Sequence, residues 1–523
     1  MRRRLSLRTI LLLATLAGCD GAVSSAPDAE TRGPDASATD AGRSSDDGAV
    51  PPGDAGTTPA PTAVTVRVVP NTEASGTERV SFGLPLARGA LTDASQIVVR
   101  HEGAELSASR RGLATWPDGS LRSVQIQVEL AAAETELELE VGATPTTEGL
   151  AETPVVDTLQ GDTPRMWALI PPTWLSDSGF AGPMVADADL AGTALEGAWD
   201  GVCDYARHDT DAFLEGSGSR AVWLFDRVTA MVRGYARSGE LSTLRSAYRE
   251  ATLYRDGITG SGSALRIGVP GAEGDVKYHY TQGMALHYLL TGDDRFREAA
   301  EGVADRMAQL WTSPGYAGGA DFWTERHAGF ALLAYVWAAT VSDDRAAAFT
   351  ALADEAVEAY LDIQATYPEG YADADARCFA HHADAHGEGY GYFGCSPWMS
   401  AILADALHAH AALQGGETAD RVHGSLIQLG RILARDGRDD EGKPFYFMGV
   451  GTTEDEADAY DEHWGESAYI VAMAWHLDGR RDDALRAVAM ELVDGLRARG
   501  RAPHVRSFNW QCRSAVAAPY FLR

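Results

Sequence analysis

A multidomain β + α chain is predicted, with an N-terminal antiparallel β sandwich or small barrel followed by an (α/α)5–6 toroid, and three observations predict it. Apolar residues alternate with period two between Ala63 and Val141. Nearly all-apolar helical stretches then recur through the C-terminal three-fifths, and each is followed by a turn and an amphipathic partner. A helix without a polar face needs cover on every side, whereas one with a polar stripe can meet water, so the first kind is expected inside and the second outside.

The chain opens with Arg2, Arg3 and Arg4, an apolar run from Thr9 to Ala17, and then Leu16-Ala17-Gly18-Cys19. This order resembles a bacterial lipoprotein signal over residues 1–19, with Cys19 as the lipidated first residue of the mature protein. The run is too short to span a bilayer, so the membrane is expected as a partner only through the lipid, at the cell envelope, on the outer membrane or the periplasmic face. Residues 20–62 are Ala, Asp, Gly, Pro, Ser and Thr with few large apolar side chains, which predicts a disordered stalk. At 523 residues and 45% hydrophobic, the remainder is long enough for two well-filled cores. A net charge of −31 argues against nucleic acid or an anionic surface, because phosphate binding needs a basic face.

In the β domain, expected over 63–150, Val64, Val66 and Val68, then Val124, Ile126 and Val128, then Leu137, Leu139 and Val141 alternate with polar neighbours. Pro117-Asp118-Gly119 makes a tight turn between two of these runs. Residues 151–218 read as a linking segment packed on the helices, and 219–523 as the toroid. Its inner helices are expected from Ser219, Lys277, Glu325, Ser396 and Glu462, with the terminal SFNWQCRSAVAAPYFL as a sixth. Their turns are Thr291-Gly292-Asp293, Ser342-Asp343-Asp344, Gln414-Gly415-Gly416 and Asp478-Gly479-Arg480. Among Cys203, Cys378, Cys395 and Cys512, the favoured disulfide is Cys378 with Cys395, which would staple a loop rich in Gly and Tyr.

The order F-G-x-P in VSFGLPLARGAL, then W-P-D-G-S-x-R in ATWPDGSLRSVQIQV, then helices carrying Y-x-Y-T-Q-G and L-L-T-G-D, resembles the exo-rhamnogalacturonan lyase and YetA-like group over nearly everything after the stalk. The resemblance implies a β barrel of RIFT-barrel type on an α/α toroid, and acidic polysaccharides as substrates. Site residues come from chemistry instead.

A toroid would gather the starts of its inner helices around one opening, bringing together His279, Tyr280, Arg326, His327, His463, Trp464, Glu466, Asn509 and Trp510. Eliminating across a uronate requires a cation on the carboxylate and a base for the neighbouring proton. Arg326 and His327, with His279 and Tyr280, offer both as the catalytic set, while Trp464, Glu466, Asn509, Trp510 and His382 are expected to bind substrate. The polymer or oligosaccharide is expected to be acidic, with no cofactor required.

Two alternatives stay open. A glycoside hydrolase needs two carboxylates, which Asp461, Glu462 and Glu466 supply. A non-catalytic glycan-binding lipoprotein would use Trp398, Trp464 and Trp510 as stacking platforms. His381, His382 and His386 beside Asp384 and Glu388 have divalent-metal composition, but without the His-Glu-x-x-His order a substrate-gripping loop is favoured and no metal is expected.

Overall fold

The computed structural model describes residues 62–311, 324–371, 373–382, 391–457 and 461–523. The signal, Cys19 and the stalk as far as residue 61 lie outside the described residues, as do His386, Asp384 and Glu388. Among the described residues no helix is long and apolar enough to cross a membrane.

Seven strands follow in order: β1 (Ala63–Pro70), β2 (Thr77–Pro85), β3 (Ile97–His101), β4 (Ala104–Glu105), β5 (Ser109–Thr115), β6 (Leu121–Ala131) and β7 (Thr135–Val141). After a short pair, β8 (Leu159–Gln160) and β9 (Thr163–Pro164), comes β10 (Met166–Leu169). One antiparallel sheet runs β10-β1-β7-β3-β4 and a second β2-β6-β5. The expected alternation is visible in β1, where Val64, Val66 and Val68 turn inward and their neighbours are exposed. The sheet does not stop near residue 150: β10 pairs antiparallel with β1, Arg67 opposite Leu169, so part of the linking segment completes the β layer.

Strand β6 departs from simple alternation, because its polar face is buried as well. Ser123 Oγ donates to the Leu289 carbonyl at 2.7 Å and Gln125 Nε2 to the Thr291 carbonyl at 3.1 Å. Those carbonyls belong to the last turn of a helix, where four acceptors lack intrahelical donors, so the strand's polar residues serve as that helix's C-terminal partners. The polar residues of β6 are thus a docking face.

The helices begin with three short ones, α1 (Pro172–Ser178), α2 (Asp187–Leu190) and α3 (Thr210–Gly216). Longer pairs follow: α4 (Arg227–Ser238) with α5 (Leu241–Asp256), α6 (Gln282–Thr291) with α7 (Asp294–Leu310), and α8 (Glu325–Val341) with α9 (Ala346–Thr366). Two short strands, β11 (His381–His382) and β12 (Phe393–Cys395), precede α10 (Pro397–Gln414) and α11 (Gly416–Asp436). Strands β13 (Phe445–Gly449) and β14 (Asp455–Ala457) precede α12 (Trp464–Leu477) and α13 (Asp483–Arg499), and α14 (Val505–Ser514) and α15 (Ala518–Leu522) end the chain. Helix α8 is buried almost all round, while α9 buries one stripe, Phe349, Ala353, Val357 and Tyr360 among it. Successive contacts link α4, α6, α8, α10, α12 and α14, and α14 touches α4 again.

Two expected helix starts are displaced. The stretch from Ser219 is a 3-10 turn over Arg220–Trp223, then a break at Phe225 (φ 78°) and Asp226 (φ 49°) before α4. Asp226 holds that break, its carboxylate accepting from Thr229 N, Thr229 Oγ1 and Gly283 N. The Lys277 stretch likewise opens with a 3-10 turn and becomes helical only at Gln282.

Disulfides join Cys378 to Cys395 and Cys203 to Cys512. The second spans 309 residues and ties the segment before α3 to α14. Constraining so long a loop in the unfolded chain should stabilise by about 2–4 kcal/mol, so Cys203→Ser with Cys512→Ser should lower the thermal midpoint more than the Cys378/Cys395 double variant. Equal midpoints for the two double variants would contradict this.

Candidate active site

Aromatic rings from five separate segments meet where the inner helices begin. Trp398, in the first turn of α10, stacks on His463 with centroids 5.0 Å apart and planes 9° apart. It also lies 5.4 Å from Trp510, 5.5 Å from Tyr446 and 5.8 Å, edge-on, from Phe225. The Arg326 guanidinium sits 5.7 Å from the centre of the same Trp398 ring, within cation–π range. An arginine in the first helical turn opposes the macrodipole, so its position there does not serve α8 itself.

A basic rim borders these rings in a chain whose net charge is −31. Arg506 stands 5.0 Å over Trp510, and Lys277 pairs with Asp275 at 2.9 Å. Burial and the Asp275 charge push the Tyr278 phenol up to about 12, against the pull of Arg220, Arg326 and Arg506. Burial, and next the Arg326 charge, holds the Lys277 ammonium below its ordinary value. Several cations therefore share one small region.

His463 is the imidazole of the ring cluster. Its Nδ1 is 3.5 Å from Glu466 Oε1, both residues are buried, and no described residue bonds its Nε2. The Glu466 carboxylate thus lies on the Nδ1 side of the imidazole, and the Nε2 side is left for a ligand.

The expected residues divide into those at this cluster and those below it. Arg326 and Trp510 belong to the cluster, and Glu466 backs it through His463. His327 lies nearby, with its Nδ1 2.7 Å from Thr324 Oγ1 and its Nε2 3.8 Å from Asp275. Burial lowers it to about 4, so it is neutral at pH 7.

Tyr280, of the expected catalytic set, stands as a post in the fold: its hydroxyl donates to the Trp223 carbonyl at 2.8 Å and accepts from Phe225 N at 3.0 Å, and burial pushes the phenol well above 10. His279, of the same set, is held close by. It is buried, its Nδ1 donates to the Asp275 carbonyl at 3.0 Å, and burial brings it to about 4. Asn509 secures the approach to Phe225 by donating to the Val222 and Leu224 carbonyls and accepting from Arg227.

Trp464 turns the other way. Its ring fills the space over Gly495 of α13, where an added Cβ would overlap it, and Arg499 covers it at 5.0 Å, so it is no sugar platform at this opening. His382 is half-buried on β11, edge-on to Phe393 at 5.0 Å, while neighbouring His381 Nδ1 meets the buried Glu325 carboxylate at 3.0 Å. Phe225, Tyr278, Tyr446, Lys277 and Arg506 join the site without having been singled out for it. Tyr446 sits on a short strand between helices, where no periodicity marks it, whereas His463 adjoins an inner-helix start and carried a usable signal.

No curated protein matches the chain. Residues 62–140 match the family model of the PcRGLX-like N-terminal RIFT barrel domain. The antiparallel strands β1–β7 are thus an N-terminal RIFT barrel domain of that kind, and a helical region follows it.

Proposed function

We propose that the chain is a carbohydrate-active enzyme, a polysaccharide lyase that cleaves an acidic, uronate-containing glycan by β-elimination. The helical region is taken to close as an α/α toroid, and Cys19 to carry a lipid that holds the protein at the bacterial cell envelope. The observation that carries the reading is the Arg326–Trp398–His463–Glu466 arrangement: a cation and an imidazole with a carboxylate beside it, both set against one indole ring. The kind of barrel in front of it supports a carbohydrate substrate.

In this mechanism a sugar ring rests against Trp510 while Arg326, helped by the basic rim, neutralises the uronate carboxylate. That makes the proton on the adjacent carbon acidic enough to leave. His463 Nε2 accepts it, Glu466 stabilises the imidazolium, and the bond from the next carbon to the glycosidic oxygen breaks. The proton then passes to the departing oxygen, giving an unsaturated uronate and a free hydroxyl.

A hydrolase gains less support, because its candidate carboxylates are committed elsewhere. Asp461 faces Lys443 at 3.2 Å and Arg499 at 3.4 Å, and Glu462 accepts from Ser507 Oγ at 2.7 Å.

Incubating the protein with a panel of uronate-containing glycans should raise the ultraviolet absorbance of unsaturated uronates. New reducing ends without absorbance would mean hydrolysis instead, and retention of glycan without either would mean binding alone. Arg326→Ala should lower elimination by about 10²-fold or more while the thermal midpoint moves little. A large fall in midpoint would assign the arginine to the scaffold.

A further inference from the structure

A second site lies at the other end of the inner helices, where the barrel's turn meets them. A cavity of about 770 Å³ opens there, lined by Trp116, Arg122, Asp177, Trp337, Thr340 and His408 among others, within the range of roughly 300–1,000 Å³ of small-molecule pockets. Arg326 and Trp337 are eleven residues apart on α8, about 16 Å along its axis, so this cavity is separate from the rim at Arg326. Between them lies a buried layer in which Arg233 and Arg513 hold Asp405.

Arg122 is the anomaly in that wall. It is 6% exposed, yet its guanidinium pairs with no carboxylate and donates no hydrogen bond among the described residues. It rests instead between two indoles, 4.1 Å from the Trp116 ring and 5.1 Å from that of Trp337. The acids of the cavity answer to other cations, Asp405 to Arg233 and Arg513, and Asp177 to Arg523. Burial alone pulls the Arg122 pKa down to about 9, the mark of a charge without a counter-charge. A buried ion left unpaired is costly, and an opposite charge brought by a ligand would remove that cost.

The turn before Arg122 is built to place it. Gly119 takes φ +82°, Trp116 N bonds the Ser120 carbonyl at 2.7 Å, and Asp118 accepts from Ser120 N and Oγ. Ser120 Oγ accepts from Gly89 N at 2.8 Å, and Trp116 Nε1 donates to the Leu86 carbonyl at 3.0 Å, which fixes the indole under the guanidinium. Each polar member of W-P-D-G-S-L-R thus holds the turn except the arginine, whose side chain is left facing the cavity.

We infer that this cavity is a second ligand site, in which Arg122 receives the carboxylate of an acidic saccharide unit. The carboxylate follows from the planar fork of donors, which matches two oxygens at once, and the saccharide from the proposed lyase reading. The site does not depend on elimination at Arg326.

Isothermal titration of sodium galacturonate, with neutral galactose as control, tests it in an Arg326→Ala background, so that uronate binding at the first site is weakened. Galacturonate should bind, galactose should not, and Arg122→Gln should weaken galacturonate at least tenfold. Absence of binding, equal binding of galactose, or unchanged affinity in folded Arg122→Gln would overturn the inference. Should Arg122→Gln fail to fold, Ala409→Trp, which adds bulk to the cavity from α10 and leaves the arginine in the sequence, takes its place: lost binding supports the site and retained binding removes it. Elimination by the wild type without this binding would sink the second site alone, and binding without elimination would sink the lyase reading alone.

Discussion

Asp405→Ala should destabilise the protein by about 3–5 kcal/mol, because it strands two buried arginines at once. Asp405 lies within α10 and accepts from Arg233 Nη2 at 2.9 Å, with Arg513 Nη1 3.1 Å from its other oxygen. All three side chains are buried, and they draw α4, α10 and α14 together at the middle of the inner layer. Further donors of the two arginines bond the Ala181 and Arg513 carbonyls, Ser514 Oγ and Gln282 Oε1, which holds both guanidinium groups in place. Asp405→Asn should cost less, since the amide keeps one acceptor while losing the charge.

The pH dependence has a definite sign. Burial raises the Asp405 pKa, but Arg233 and Arg513 outweigh it and leave the carboxyl below its ordinary value. A group depressed in the folded state stabilises above its unfolded pKa of about 3.9, and the contribution is lost as pH falls through the lower folded value. The gap between wild type and Asp405→Ala in denaturant midpoint should therefore be full near neutrality and close under strong acid. A gap below about 1 kcal/mol at pH 7 would show that the layer contributes little.

The period of the sequence made the layers legible, because burial on one face or on all faces leaves a repeat of two or 3.6 whatever the rest of the chain does. It did not give rotation about a helix axis. Trp464 and Trp398 both open apolar helices, yet Trp398 faces the ring cluster and Trp464 the outer helix α13, a difference set by the small Gly495 far along the chain. The same limit applies to Tyr280: its hydroxyl is consumed by the Phe225 segment, whose left-handed break at Asp226 no periodicity announces. Arg122 was visible in a recognisable turn motif, but its lack of an ionic partner is a property of the assembled fold.

Gly83→Ala should be nearly as damaging as loss of Asp405, and it probes how the barrel rests on the helices. Gly83 is the glycine of F-G-x-P, sits on β2 opposite Gln125 of β6, and needs no left-handed backbone. Its constraint is space: a Cβ there would overlap the Leu289 carbonyl of α6, the same oxygen that accepts from Ser123 Oγ. Backbone is not a flexible side chain that can step aside, so the methyl must push β2 and β6 off the helix. The push costs about 1–3 kcal/mol for overpacking, and a similar amount again if the Leu289 and Thr291 carbonyls lose their donors inside the protein. The thermal midpoint of Gly83→Ala should fall well below that of Gly201→Ala, where an added Cβ meets nothing within 4 Å. Matching midpoints would mean that the barrel can slide on α6, and the close seating of β2 on that carbonyl would then have no energetic role.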